Sequence, residues 1–443
     1  MAACAFALGV VSPALEARAQ EADATATERS GSFTWRLNVE WITAVRGLDP
    51  AETVLNPRNA TFRLPQLLGV TELRPNLRLE PGARLQFVFR PRWRGTVGVS
   101  WIDGANRHES AEGEFDMTEA YVTWRMSDAA ALTYGLQNFQ WGPSELLSPS
   151  NHVFRQVAFF RDPLYYVWGR HIVRLNVSAG KQWSLVGLAE VGANREPAFR
   201  AGEHFEPAVV GKAEYTTRSG ASYFGVTVGG RTHEPPWFGE YASVALVAGL
   251  SAYIDASHQE GSLAWYPVVE RGLGSGGWGA GAAQVPRAAF AQDQLGSGRL
   301  LTFAVGGLRY AFVSGVDARA EYVYQDAGYS REQSALSSLA VASQATREAV
   351  DQWLRPGLEV LGQRLVNLSV RVPDLPPAKR VDLLGSYLVS LTDDSSVAFV
   401  TTSVEAGDRL VIFGSATWSR GAESAEFSRL VHASVVGGAV WSW

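Results

Sequence analysis

Phe33-Thr34-Trp35-Arg36-Leu37-Asn38-Val39-Glu40-Trp41 puts a large apolar side chain at every second position and a polar one in between. A period of two is that of an extended strand with one dry face. The pattern continues outward from there. Leu73, Leu77 and Leu79 alternate with Glu72, Arg74, Asn76, Arg78 and Glu80, and Leu85, Phe87 and Phe89 alternate with Arg84, Gln86 and Arg90. Trp93, Val97, Val99 and Trp101 carry it on. Segments 117–127, 130–140, 169–179, 181–193, 207–218, 221–232, 241–256, 261–269, 299–313 and 317–325 read the same way, as do 357–372, 381–392, 395–404, 409–420 and 430–443. Together they make about eighteen strands of roughly ten residues each, with fourteen or sixteen as the alternatives.

Such a series can build a propeller, stacked sandwiches or a membrane barrel, and the polar face decides among them. The exposed face of a soluble sandwich is rich in Lys and Glu, whereas Lys occurs here three times and the polar positions carry Arg, Thr, Ser, Gln, Asn and Gly. Trp35, Trp41, Trp93, Trp101, Trp124, Trp183, Trp441 and Trp443 sit near strand ends, as the two interfacial girdles of a barrel require. No repeat of 40–50 residues marks propeller blades. Among 443 residues, 46% are hydrophobic and 19% charged, with no apolar run of about 18 residues beyond the N-terminus, which excludes a bundle of membrane helices. A net charge of −5 gives no support to nucleic-acid binding. The sequence therefore predicts an all-β, antiparallel up-and-down transmembrane barrel.

The ends of the chain agree. Ala2 to Leu15 is an apolar run followed by Ala17-Arg18-Ala19, read as a signal peptide over 1–19, then a periplasmic tail over 20–31 and a single barrel domain over 32–443. Cys4 is the one cysteine, so the exported chain is expected to hold no disulfide or thiolate metal site. An even strand number with both termini periplasmic sends the connections 102–116, 141–168, 270–298 and 326–356 outward. Pro81-Gly82, Ser127-Asp128, Ala179-Gly180, Ser219-Gly220, Ser314-Gly315 and Ala406-Gly407-Asp408 become periplasmic turns. Helical spacing of Leu336, Leu339, Ala340, Ser343, Arg347, Val350, Trp353 and Leu354, opened by a Ser330 to Gln333 capping box, predicts a helix over 331–354 in an outer loop, as rim cap or plug.

Two segments carry a resemblance. Val431, Ala433, Val435, Gly437, Ala439, Trp441 and Trp443 alternate down to a terminal aromatic, which resembles the last strand of Gram-negative outer-membrane β-barrel proteins. The resemblance implies an outer-membrane location, contact with membrane lipid and lipopolysaccharide, and recognition by the barrel-assembly machinery through the strand ending at Trp443. Gly135-Leu136-Gln137-Asn138-Phe139-Gln140-Trp141-Gly142-Pro143 resembles the Gly-Arg-Gln…Trp-Gly segment of porin-like families, with Leu136 where those have Arg.

Function is then expected in the lumen. If Leu85, Phe87 and Phe89 face lipid, Arg84, Arg90, Arg92 and Arg94 face inward, joined by Arg74, Arg78, Arg125, Arg170 and Arg174 as a basic ladder for anions. Glu40, Glu72, Glu80 and Glu119 share those faces, so arginine and glutamate pairing across strands is the competing reading. The aromatic stretch from Trp141, with Phe154 and Tyr165, is expected to fold inward as a constriction loop, with Arg155 and Arg161 as its charged eyelet. Scattered histidines and the lack of a nucleophile elbow point to no enzyme, cofactor or metal. These readings converge on a channel for passive or substrate-selective passage of small polar solutes, anions included. A non-conducting barrel that scaffolds a surface or envelope assembly, or an export complex, is the alternative. A lipid hydrolase using His432 and Ser434 is less favoured.

Overall fold

A computed structural model describes residues 33–53, 55–102, 106–154, 163–193, 198–270, 287–292, 298–344, 346–375 and 380–443. The signal peptide and tail expected over 1–31 lie outside them. The described residues form one closed antiparallel barrel of 18 strands and a separate two-stranded hairpin.

The barrel begins with β1 (Phe33–Pro50), β2 (Leu67–Pro81), β3 (Leu85–Ile102), β4 (Asn106–Arg125), β5 (Ala130–Gln137) and β6 (Arg170–Ala179). It continues through β7 (Trp183–Gly192), β8 (Ala208–Thr216), β9 (Tyr223–Arg231), β10 (Trp237–Val247) and β11 (Leu250–Glu260). After the hairpin β12 (Tyr266–Glu270) and β13 (Arg287–Ala291) come β14 (Leu300–Ala311), β15 (Asp317–Gln325), β16 (Arg364–Val372) and β17 (Val381–Ser390). The last strands are β18 (Ser396–Glu405), β19 (Leu410–Arg420) and β20 (Val431–Ser442), and β20 closes on β1 through pairs such as Trp41 with Trp441. Full closure removes the two sheet edges that an open sheet would expose to lipid.

Strand tilt is visible in the register. One rung of partners runs from Glu109 through Val99, Leu67, Gly47, Val435, Ala416, Val400, Gly385, Val370, Ala318 and Tyr310 to Leu250. It starts near the loop-side end of β4 and reaches the turn-side end of β11, the slope that barrel closure demands.

The expected strand number holds because two misreadings cancel. Segment 241–256 is not one strand but the adjoining parts of β10 and β11, joined at Gly249, whose φ of +81° suits glycine. Segment 261–269 is no barrel strand; its end forms half of the β12–β13 hairpin. The long connection expected at 102–116 is corrected too, because most of it belongs to β4, which pairs with β3 up to Asn106 opposite Ile102. β5 follows β4 only to Leu136 opposite Ala120, and the Thr118 carbonyl then accepts from Gly169 N at 2.9 Å. Above that point residues 106–115 of β4 are exposed.

The expected helix is two, α1 (Arg331–Gln344) and α2 (Arg347–Leu354). The capping box forms as read: Ser330 N donates to Gln333 Oε1 at 2.9 Å and Gln333 N to Ser330 Oγ at 3.3 Å. A second cap, Ala349 N to Thr346 Oγ1 at 3.1 Å, restarts the helix. Both helices lie on the hairpin, where Trp353, Ala340, Val341 and Ala349 cluster with Leu55, Phe290 and Phe62. No helix among the described residues is long and apolar enough to cross a membrane.

Candidate functional site: the lumen and its crossing loop

Alternation places the charged residues inside. On β2 and β3, Val70, Glu72, Val88 and Arg92 are buried while Leu73, Leu85, Trp93 and Val97 are exposed, so the even-numbered positions face the lumen. Glu72 is the hub of this wall. Its carboxylate meets Arg74 at 2.5 Å and Arg94 at 3.1 Å, and Arg92, itself 1% exposed, binds it with both Nε and Nη2. Arg92 also lies 3.3 Å over the Tyr166 ring. One stave further, Arg90 pairs with Glu119 at 3.1 Å. A β-bulge between Arg90 and Pro91 opposite β4 shifts the register there, so that both Glu119 and Asp116 turn inward.

The other expected residues divide. Arg78 takes the lumenal face of β2 and is half-buried, and Arg174 lies 4.1 Å over the ring of Phe139. Arg84 and Arg125 are exposed at the turn end. Arg170 pairs with Glu190 at 3.0 Å, and Glu190 also takes Arg231 at 3.0 Å. Glu190 and Arg231 were not singled out in the sequence, although their period-two positions on β7 and β9 already mark the lumenal face.

The crossing loop leaves β5 through the segment singled out above. Gly135 has φ +130°, and a Cβ there would stand 2.3 Å from the Ala120 carbonyl, so the close approach of β4 and β5 requires glycine. Gln137 Nε2 donates to the Ile172 carbonyl at 3.1 Å, tying the strand end to β6. From there the loop anchors on three walls. Trp141 and Phe154 pack with Ile172, Leu188, Val210, Trp237 and Tyr241. Leu146 and Leu147 pack with Val305, Val323, Leu365, Leu388, Val397 and Phe399. Leu164 packs with Ile42, Val70, Phe413, Val436 and Val440. Trp141, Phe154 and Tyr165, expected at the constriction, are 8%, 3% and 7% exposed, so burial inside the barrel accounts for the aromatic composition of this loop. Arg155 and Arg161 lie outside the described residues.

The loop has a cavity on each side. The larger, about 830 Å³, reaches from the turn end at Asp408, Arg409 and Trp443 up to Trp141 and Leu146. Four arginines (Arg74, Arg90, Arg92, Arg409) and four carboxylates (Glu40, Glu119, Glu145, Asp408) line it, with Asn38, Asn76, Asn138 and Gln140 between them. The smaller, about 90 Å³, lies toward the loop end beside His152, Arg200, Gln259 and Gln325. Ser434 shares the inward face of Val436 on β20, whereas His432 is exposed at the loop end of that strand, where the register with β1 shifts. Among the described residues no group of three His, Cys, Asp or Glu side chains is placed to hold a metal.

An 18-stranded closed barrel with apolar side chains outside and a charged, loop-crossed interior defines a membrane β-barrel. No protein-family model matches the chain, and no curated protein matches it in sequence. Solved structures do. OccAB1 of Acinetobacter baumannii is 10% identical, with 92% of this chain and 96% of that one covered and a TM-score of 0.54. OccK5 (OpdH) of Pseudomonas aeruginosa is 10% identical over 92% and 98%, with a TM-score of 0.51. Wzi, an outer membrane protein involved in group 1 capsule assembly in Escherichia coli and described as a carbohydrate-binding β-barrel, is 12% identical over 97% and 87%, with a TM-score of 0.50. At these identities the likeness shows the fold, which is that of outer-membrane β-barrels.

Proposed function

We propose that the chain is an outer-membrane channel for small polar solutes, with the turn end in the periplasm and the loop from Trp141 onward as its narrowing. The observation that carries this reading is the large cavity inside the closed barrel, walled by ion-paired arginines and carboxylates and ending at that loop. Desolvated guanidinium and carboxylate groups offer a polar solute both donors and acceptors in place of water. Because Glu72 and Glu119 hold most of the arginines of this wall, the lining is amphoteric, and the solute class is polar before it is anionic.

The test is conductance of the refolded protein in a planar bilayer under a salt gradient. Discrete steps are expected, and Arg90→Ala with Arg92→Ala should move the reversal potential toward cations by freeing Glu119 and by leaving Glu72 with two arginines in place of three. Steps with unchanged selectivity would remove the arginine wall from the solute path. The second reading, a closed barrel that holds a polysaccharide or scaffolds an envelope assembly, is favoured by the loop's anchoring on three walls and by the two helices over the hairpin. A folded barrel without steps would select it.

A further inference from the structure

Two carboxylates of the barrel wall hold the crossing loop by directional bonds. Asp255 on β11 and Glu321 on β15 face the lumen at 0% and 2% exposure. Glu321 accepts from Glu145 N at 2.7 Å through one oxygen and from Leu146 N at 3.2 Å through the other. Asp255 accepts from Ser150 N at 2.8 Å and from Ser148 Oγ at 2.8 Å. The turn over 145–150 is thus fastened at both ends, on two staves with β14 between them.

The surroundings support this grip. Tyr253 OH and Asn367 Nδ2 donate to Glu321 at 2.9 and 3.0 Å, fixing its rotamer, and Thr227 Oγ1 donates to the Ser150 carbonyl at 3.2 Å. The Glu145 side chain reaches Arg319 at 2.9 Å. Gly142, with φ +98°, leaves room for Asp255: a Cβ there would stand 2.0 Å from Asp255 Oδ2. Burying a carboxylate is costly unless its lone pairs are filled, and here the loop supplies the donors described for Asp255 and half of those for Glu321. Leu146 and Leu147 would suffice for adhesion, but apolar contact has no direction and cannot set the loop's height in the barrel.

We propose that Asp255 and Glu321 are positioning residues that clamp residues 145–150 at one height across the lumen and so set the width of the passage. Only the conductance readout of this inference rests on the channel reading. The experiment places a nitroxide on Ser144→Cys in a Cys4→Ala chain and compares the parent with Asp255→Ala plus Glu321→Ala, with heat-modifiable gel migration reporting the folded barrel. In the folded double variant the label is expected to become mobile and the conductance step to grow by at least about twofold. A label as immobile as in the parent would overturn the clamp. Ser148→Ala, which removes no buried charge but takes away the hydroxyl that Asp255 shares with the Trp141 carbonyl at 2.6 Å, should loosen the label partway, and it decides the matter if the double variant does not fold, with an unmoved label again counting against the clamp. A parent without steps whose label loosens in the variants would uphold the clamp and remove the channel reading.

Discussion

The charged stretch of β2 to β4 and the apolar stretch of β14 to β18 face one lumen with opposite linings. The first presents Glu72, Arg74, Arg90, Arg92, Arg94 and Glu119, joined in ion pairs that need no other element to complete them. The second presents Val305, Val323, Leu365, Leu388, Val397 and Phe399, a lining that only a covering of other apolar groups can keep dry. Leu146 and Leu147 provide that covering. A barrel interior can therefore be wet along one side and a protein core along the other. The polar side leaves space for solute, and the apolar side determines where the loop lies.

The comparison can be broken first from the apolar side. Leu146→Ala with Leu147→Ala should cost about 2–5 kcal/mol per site in loop docking, seen as rapid proteolytic cleavage near residue 146 with the barrel intact by circular dichroism. Protection equal to the parent would show that the loop does not depend on this wall. On the charged side, Glu72→Gln leaves Arg92 buried without its counter-charge and should destabilise the folded chain by about 3–5 kcal/mol, read in a denaturant titration. It should also turn selectivity toward anions, and a change in stability without one in selectivity would make the cluster purely structural.

The smallest effect is expected at the loop end of the apolar stretch, where Val360 and Phe427 join it. Glu426 accepts from Leu361 N at 2.6 Å and Gly362 N at 3.0 Å, and its burial, reinforced by nearby Asp393, pushes its carboxyl up to about 7. An acid whose folded pKa is raised binds its proton more tightly when folded, so its contribution is complete at low pH and is lost as pH rises from about 4.5 to about 7. The protection factor at residues 358–362, the intrinsic exchange rate at each pH divided by the observed one, should fall across that window and level off above it. Glu426→Gln should flatten the profile, and an unchanged slope would assign the dependence to another group.

Much of this was legible from alternation alone. Leu85, Phe87 and Phe89 against Arg90, Arg92 and Arg94 sorted outside from inside, because a strand puts neighbouring side chains on opposite faces wherever it runs. Ser330 and Gln333 announced α1 because a capping box is a local bond pattern. The interruption before α2 was hidden, since Ala345-Thr346 carries no glycine or proline and Thr346 acts only once its hydroxyl is turned to Ala349 N. The apolar wall was hidden for a different reason. Leu365 shares its face with Asn367 and Ser369, and Val397 with Thr401 and Ser403, so alternation marks those faces as lumenal but cannot show that a loop covers their apolar ends. The clamp on 145–150 was out of reach because Glu145 and Glu321 are 176 residues apart and nothing local relates them.

The unequal reach of β4 and β5 bears on how the molecule sits in its surroundings. Hydrocarbon offers no partner to a bare backbone amide, so the exposed edge of β4 above Thr118 marks where the bilayer must give way to water. Trp93 and Phe115, in contact at 5.0 Å on the outer surface, stand near that waterline. From there to Asn106 the tilted hairpin climbs by about 20 Å. With the turn end in the periplasm, as proposed, it is a mast above the cell surface, and an antibody raised against residues 106–113 should stain intact cells.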